Sequence, residues 1–254
     1  MAEVIIVADA AEAGEIAANE IEKVILRKPD AVLGLATGST PLTTWNALAA
    51  KNLDLAKVRG FALDEYVGLP PNHPESYRSV IDREVIGPLG LTRALVHVPA
   101  DSGPIHAAGM EYESAIDAAG GIDLQVLGIG RTGHIGFNEP GSSFTSLTRV
   151  KTLSEQTRRD NARFFDSLDD VPMHCVTQGL GTILRSRHLV LLAFGAAKAE
   201  VIAAAVEGPQ TSSLPASVIQ LHPHVTVIVD EAAATSFTNA DYYRYAWAHR
   251  LDVE

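Results

Sequence analysis

Asp123-Leu124-Gln125-Val126-Leu127-Gly128-Ile129-Gly130-Arg131-Thr132-Gly133-His134-Ile135-Gly136-Phe137-Asn138-Glu139-Pro140 is the stretch that decides the fold. Its first five residues are an apolar run of the kind that forms a buried strand. From Gly128 the chain is too rich in glycine to continue a strand, and Pro140 argues against an early helix. His134 and Glu139 therefore stand five positions apart in a loop just past a strand end. In open α/β sheets ligands bind at that end of the strands.

The same alternation recurs on both sides. Residues 4–8 are apolar, Asp9 is placed as an N-cap, and Ala17, Ile21, Val24 and Ile25 share one face of a helix running to about 27. Residues 31–36 form a second buried strand that runs into Thr37-Gly38-Ser39-Thr40-Pro41, with a helix over 42–50. A third strand, 58–63, ends in a loop beginning at Asp64-Glu65-Tyr66, and a helix over 75–86 follows. Further strands are predicted at 94–98, 188–194 and 225–229, and helices at 105–118, 177–186 and from Gly195 to about 207. Between them 151–171 is polar, and Ser154-Glu155-Gln156-Thr157 signals the start of a helix through Phe165. Its thin apolar face marks it as a peripheral, mobile segment.

No linker, charge block or repeat interrupts this order. The expectation is one α/β domain over 1–254, with a single doubly wound, mainly parallel, Rossmann-like sheet and helices on both faces. Four polar loops then meet at one sheet edge: 37–40, 64–66, 132–139 and 195–198.

Composition narrows the function. At 46% hydrophobic and 20% charged residues the chain is ordinary for a soluble protein, and its net charge of -11 disfavours nucleic acid and anionic membrane as partners. The single cysteine, Cys175, leaves no intrachain disulfide and no multi-cysteine metal site. The apolar run at 189–197 is far short of the roughly 20 residues that span a bilayer, and the first residues lack a secretory start. A cytoplasmic location is expected.

Each loop carries a chemical option and a plainer one. Thr37-Gly38-Ser39-Thr40 can cradle a phosphate at a helix start, or be an ordinary capped helix. Lys198 and Arg163 can hold that phosphate, or be solvated cations. Asp64 and Glu65 can be turn carboxylates, or one can abstract a carbon-bound proton if burial raises its pKa. His134 and Glu139 can be a structural pair, or can handle protons of a ligand given room by Gly133 and Gly136. No histidine spacing fits a metal, and no serine-hydrolase or nucleotide motif is present. Convergence on one edge favours a phosphorylated substrate worked on by proton transfer, without metal or cofactor. An aldose–ketose isomerisation fits that description.

Across nearly the whole chain the sequence resembles the glucosamine-6-phosphate deaminase family. The resemblance rests on Ala36-Thr37-Gly38-Ser39-Thr40-Pro41, Leu63-Asp64-Glu65-Tyr66-Val67-Gly68-Leu69, His73-Pro74-Glu75-Ser76-Tyr77, the stretch from Gly133 to Pro140, and Ala205-Val206-Glu207-Gly208. It implies conversion of glucosamine 6-phosphate and water to fructose 6-phosphate and ammonia. Asp64 matches the base that moves a proton from C2 to C1, His134 the acid/base of ring opening, and Glu139 its carboxylate partner. Thr37, Gly38, Ser39, Thr40, Arg163 and Lys198 match phosphate-binding positions, and about 153–176 matches an active-site lid. Thr132 departs from the enteric pattern, which has an aspartate there; threonine offers a hydrogen bond but no charge. Ser142, Arg149, Lys151 and Thr152 match the site at which N-acetylglucosamine 6-phosphate activates hexameric members, so a homo-oligomer is expected. The tyrosines at 243 and 245 do not align cleanly with the tyrosine those enzymes use. A lactonase of the same fold would not need Asp64 as a proton-transfer base. None of these motifs reads C4, which leaves galactosamine 6-phosphate open, and a sensor that has lost the chemistry has Thr132 as its only support.

Overall fold

The computed structural model describes residues 3–100 and 103–251. Met1 and Ala2, and the expected domain end at 252–254, lie outside the described residues.

Among the described residues ten strands follow in chain order: β1 (Glu3–Val7), β2 (Val32–Leu35), β3 (Arg59–Ala62), β4 (Asp64–Val67), β5 (Val96–His97), β6 (Leu124–Gly128), β7 (Arg149–Thr152), β8 (His174–Thr177), β9 (Leu189–Ala193) and β10 (Val225–Asp230). Seven of them form the expected parallel sheet, ordered β1-β10-β9-β6-β2-β3-β5. From β2 the chain builds outward through β3 to β5. It then returns to the other side of β2 with β6 and builds the opposite way. The strand order therefore reverses between β2 and β6, and the loops after these strands leave the same edge side by side. That crevice is where a doubly wound sheet binds its ligand.

The strands are buried on both faces, which is why they read as continuous apolar runs rather than as alternation. On one face Val32 and Phe61 pack with Tyr112, Ile116 and Ile122, the first two of these from the helix Ala108–Ala118. Leu33 and Leu35 belong to the larger core with Ala17, Ile21 and Ile25 of the helix Ala10–Arg27 and Trp45 and Leu48 of the helix Ser39–Ala50. Leu124, Val126 and Leu127 of β6 are fully buried, each contributing about 1.5–3 kcal/mol relative to exposure. Asp9 caps its helix as expected, accepting the N–H groups of Ala11 and Glu12.

A second sheet was not expected. β4, β8 and β7 form an antiparallel trio with β8 in the middle. Asp64–Val67, taken above for a loop, is thus a strand, and 174–176 of the expected lid stand within the central strand. The helix expected over 177–186 is shorter, Leu180–Leu184, because Thr177 closes β8. The two sheets join through one residue: Leu63 donates its N–H to Leu35 O at 3.0 Å, and its carbonyl accepts the N–H of Gln178 at 2.7 Å.

Candidate active site

A cavity of about 420 Å³ opens at the crevice between β2 and β6. Thr37, Gly38, Ser39, Thr40, Asp64, His134, Arg163 and Lys198 all line it, so eight of the expected residues come together. Glu139 and Thr132 stand behind His134 rather than on the wall. Ser142, Arg149, Lys151 and Thr152 lie elsewhere.

Ser39 opens a helix whose N-cap, Gly38, has φ +98° and supplies no side-chain cap. This backbone favours glycine, and it leaves the first N–H groups of a 12-residue helix without a side-chain partner beside the cavity. Lys198 ends a short 3₁₀ turn, Ala196–Lys198, that leads into the helix Ala199–Glu207. Its ammonium donates to Ile129 O at 2.7 Å. Burial pushes its pKa down, with Arg131 and Arg163 adding to the effect and Asp160 opposing it. Arg163 reaches the cavity from the 3₁₀ turn Ala162–Phe164, with its guanidinium 4.7 Å from the Phe164 ring.

Asp64 and Glu65 have different tasks. Asp64 lines the cavity, and burial, reinforced by Glu65, raises its pKa well above the ordinary value; a backbone N–H at Phe137 pulls the other way. Glu65 is occupied structurally: it accepts the N–H groups of Tyr77 at 2.9 Å and Arg78 at 2.8 Å where the helix Tyr77–Ile81 begins.

His134 sits over Gly130. A Cβ at Gly130 would come within 2.1 Å of the imidazole, so only glycine leaves the ring this place. Gly133, expected to make room for a ligand, instead packs against Leu214. His134 Nδ1 is 2.9 Å from Thr132 Oγ1, and Thr132 donates to Glu139 Oε2 at 3.2 Å. The direct separation of Nδ1 and Oε2 is 3.8 Å, too long for a hydrogen bond. Glu139 thus reaches His134 through Thr132. The threonine hydroxyl has one proton, and it goes to the carboxylate. It must then accept from Nδ1–H, so in the neutral imidazole the lone pair is on Nε2.

Burial alone would raise the Glu139 pKa, but His134, the Thr157 hydroxyl and the Ser154 N–H together bring it down to about 2. One carboxyl is made easy to protonate and the other is kept ionised, a division that suits acid and base roles.

Several wall residues were given no role in sequence, although Tyr66, Tyr77 and Phe137 lie within the motifs that carry the resemblance. Tyr66, Tyr77, Phe137 and Phe165 form an aromatic cluster beside the cavity, with Tyr66 4.9 Å from Tyr77 and 5.7 Å from both Phe137 and Phe165. The helix Glu155–Asn161 covers them, and Asn161 donates to the Tyr66 hydroxyl at 2.8 Å. Ser154 caps this helix as expected, but the α-helical part ends at Asn161, short of Phe165.

Of the four residues matched to an activator site, Ser142 is buried and donates to Glu139 O at 2.7 Å. Arg149 binds Asn138 Oδ1 at 2.8 Å and Ser142 Oγ at 3.3 Å. Along β7 Arg149 and Lys151 share the half-buried side and Thr152 is turned out.

The family described as glucosamine-6-phosphate isomerases/6-phosphogluconolactonase matches residues 7–228. The chain belongs to this family. Among the relatives of this family member, a protein of Bifidobacterium longum (strain DJO10A) named glucosamine-6-phosphate deaminase is 58% identical over 98% of both chains. One of the same name from Streptomyces coelicolor is 56% identical over 98% of both. A solved structure described as a monomeric glucosamine-6-phosphate deaminase is 41% identical, with a TM-score of 0.89 over 92% of this chain and 99% of that one. The 6-phosphogluconolactonase of Trypanosoma cruzi, at 20% identity and a TM-score of 0.75 over 94% of this chain and 97% of that one, shares the fold.

Proposed function

We propose that this family member converts glucosamine 6-phosphate and water to fructose 6-phosphate and ammonia. The observation that carries the reading is one cavity walled by a buried carboxyl, a histidine with a free Nε2 and an uncapped helix start flanked by two cations. The 55–58% identity to proteins named deaminases supports it.

In this reading the phosphate rests on the N–H groups and hydroxyls of Thr37 to Thr40, with Lys198 and Arg163 as counter-charges. His134 Nε2 takes the proton of the C1 hydroxyl and returns it to the ring oxygen, opening the pyranose. Asp64 removes the C2 proton while one proton of the C2 ammonium passes to O1, giving an enolamine, and then delivers the C2 proton to C1. Water then adds to the C2 imine carbon, and ammonia leaves. A base whose pKa burial has raised lies nearer the working pH, where proton transfer is most efficient. Lactone hydrolysis needs no base that moves a proton from C2 to C1, which favours the deaminase.

Ammonia release from glucosamine 6-phosphate is the test. The wild-type protein releases it, and Asp64→Asn is slower by about 10²–10⁴-fold, the usual contribution of a positioned base. No release by the wild type would turn the reading toward lactonase or sensor; undiminished release by Asp64→Asn would remove the assigned base.

The segment at about 153–176 is proposed as a lid, within a single domain. A cytoplasmic location and a homo-oligomer belong to the same proposal, as does activation by N-acetylglucosamine 6-phosphate at Ser142, Arg149, Lys151 and Thr152, for which Arg149 and Ser142 are in contact. Rate curves that are sigmoidal alone and hyperbolic with the activator are expected. Curves hyperbolic from the start and unmoved by it would end the activator reading.

A further inference from the structure

Glu139 presents its two carboxylate oxygens to two different parts of the molecule. Oε2 accepts from Thr132, which in turn meets His134. Oε1 accepts from the Thr157 hydroxyl at 2.5 Å and the Ser154 N–H at 3.2 Å. Thr132, His134 and Glu139 belong to the loop after β6, whereas Ser154 and Thr157 start the helix Glu155–Asn161 that covers the aromatic cluster. Ser154 Oγ is also 3.0 Å from Thr157 Oγ1. A continuous hydrogen-bond chain therefore runs Ser154, Thr157, Glu139, Thr132, His134.

Thr157 is only 2% exposed, so its hydroxyl has little access to solvent, and it does not line the cavity. If its hydroxyl is removed, Oε1 keeps only the Ser154 N–H. The carboxylate is then free to turn, and Thr132 loses the acceptor that fixes its proton. Thr132 can then donate to Nδ1 instead, which sends the imidazole proton to Nε2, the nitrogen that ring opening needs unprotonated.

We propose that Thr157 is a positioning residue: by bonding Glu139, the covering helix sets the Thr132 hydroxyl and thereby holds His134 in the Nδ1–H tautomer. The covering segment and the ring-opening group are then one mechanical unit, and the histidine is correctly set only while the segment is docked. The kinetic consequence rests on the deaminase reading; the tautomer does not.

The test uses full-length protein with ¹⁵N-labelled histidine and no substrate, the His134 signals being assigned by their loss in His134→Gln. Wild type and Thr157→Ser show a single Nδ1–H tautomer, and Thr157→Val shows a mixture of both. With glucosamine 6-phosphate as substrate, Thr157→Val lowers kcat by about 10–10²-fold, the scale of a small misplacement of a reacting group. KM stays near that of wild type, and Thr157→Ser restores kcat. Thr157→Ala replaces the valine variant if the latter melts early. An unchanged Nδ1–H tautomer in the variant lacking the hydroxyl overturns the proposal, as does a serine variant as impaired as the valine one. A wild type that releases no ammonia removes the deaminase reading alone, because the tautomer measurement still decides the role of Thr157.

Discussion

At Thr132 a neutral hydroxyl stands between Glu139 and His134, at the position where the enteric pattern has an aspartate. It passes the influence of Glu139 to His134 while adding no charge of its own. Replacing it with aspartate puts a carboxylate directly beside Nδ1, which favours the protonated imidazole. The pH–rate profile of Thr132→Asp is therefore expected to shift its acid limb to higher pH, read as kcat against pH. A profile superimposable on wild type would refute this account. That His134, Asp64 and Glu139 gather at one sheet edge was legible in sequence, because each lies just past a strand end; which of Asp64 and Glu65 turns to the cavity was implied only by the family resemblance. The indirect path from Glu139 was not legible. A spacing of five suggests direct contact, and only the loop's folded course places Thr132 between the two.

Among the elements, the long buried strands and the helix starts were readable, since apolar runs and capping residues are local signals. The antiparallel trio was not. Asp64–Val67 has a polar start and Arg149–Thr152 alternates between half-buried and exposed, so neither resembles a core strand until its partner is known. Glu207 shows a similar limit: part of a family motif, it accepts the Thr238 and Asn239 N–H groups and the Tyr243 hydroxyl, anchoring the helix Ala240–Ala248 away from the cavity. Glu65 anchors another helix in the same manner. Glu65→Ala leaves the Tyr77 and Arg78 N–H groups without this acceptor and is expected to cost about 1–3 kcal/mol. Thermal melting checks this: a midpoint equal to wild type would show that the helix start does not depend on Glu65.

For the whole molecule, the opposed carboxyls give a signed dependence on pH. Glu139 has a folded pKa of about 2 against an ordinary 4.5, so its contribution to stability is complete above 4.5 and is lost as pH falls toward 2. Glu113, held by Thr148, Thr182 and Arg185, is shifted the same way. Asp64, with its pKa raised, works against them, since acidification relieves its buried charge. The melting-point gap between wild type and Glu139→Gln should therefore narrow from pH 5 to pH 3, as the carboxyl of the unfolded chain takes up a proton that the folded one still refuses. A gap that stays constant across that range would contradict the assignment.

The one-residue joint at Leu63 has a consequence for which acid faces the cavity. β3 ends at Ala62 and β4 begins at Asp64, so the chain changes sheets across a single residue. From that residue onward side chains point to opposite sides in turn. Odd and even positions thus part company: Asp64 and Tyr66 look into the cavity, and Glu65 looks away toward the helix it anchors. Two neighbouring carboxylates of nearly equal chemistry are sorted by parity alone. The joint, by fixing where the count starts, makes the first of them the one that faces the cavity.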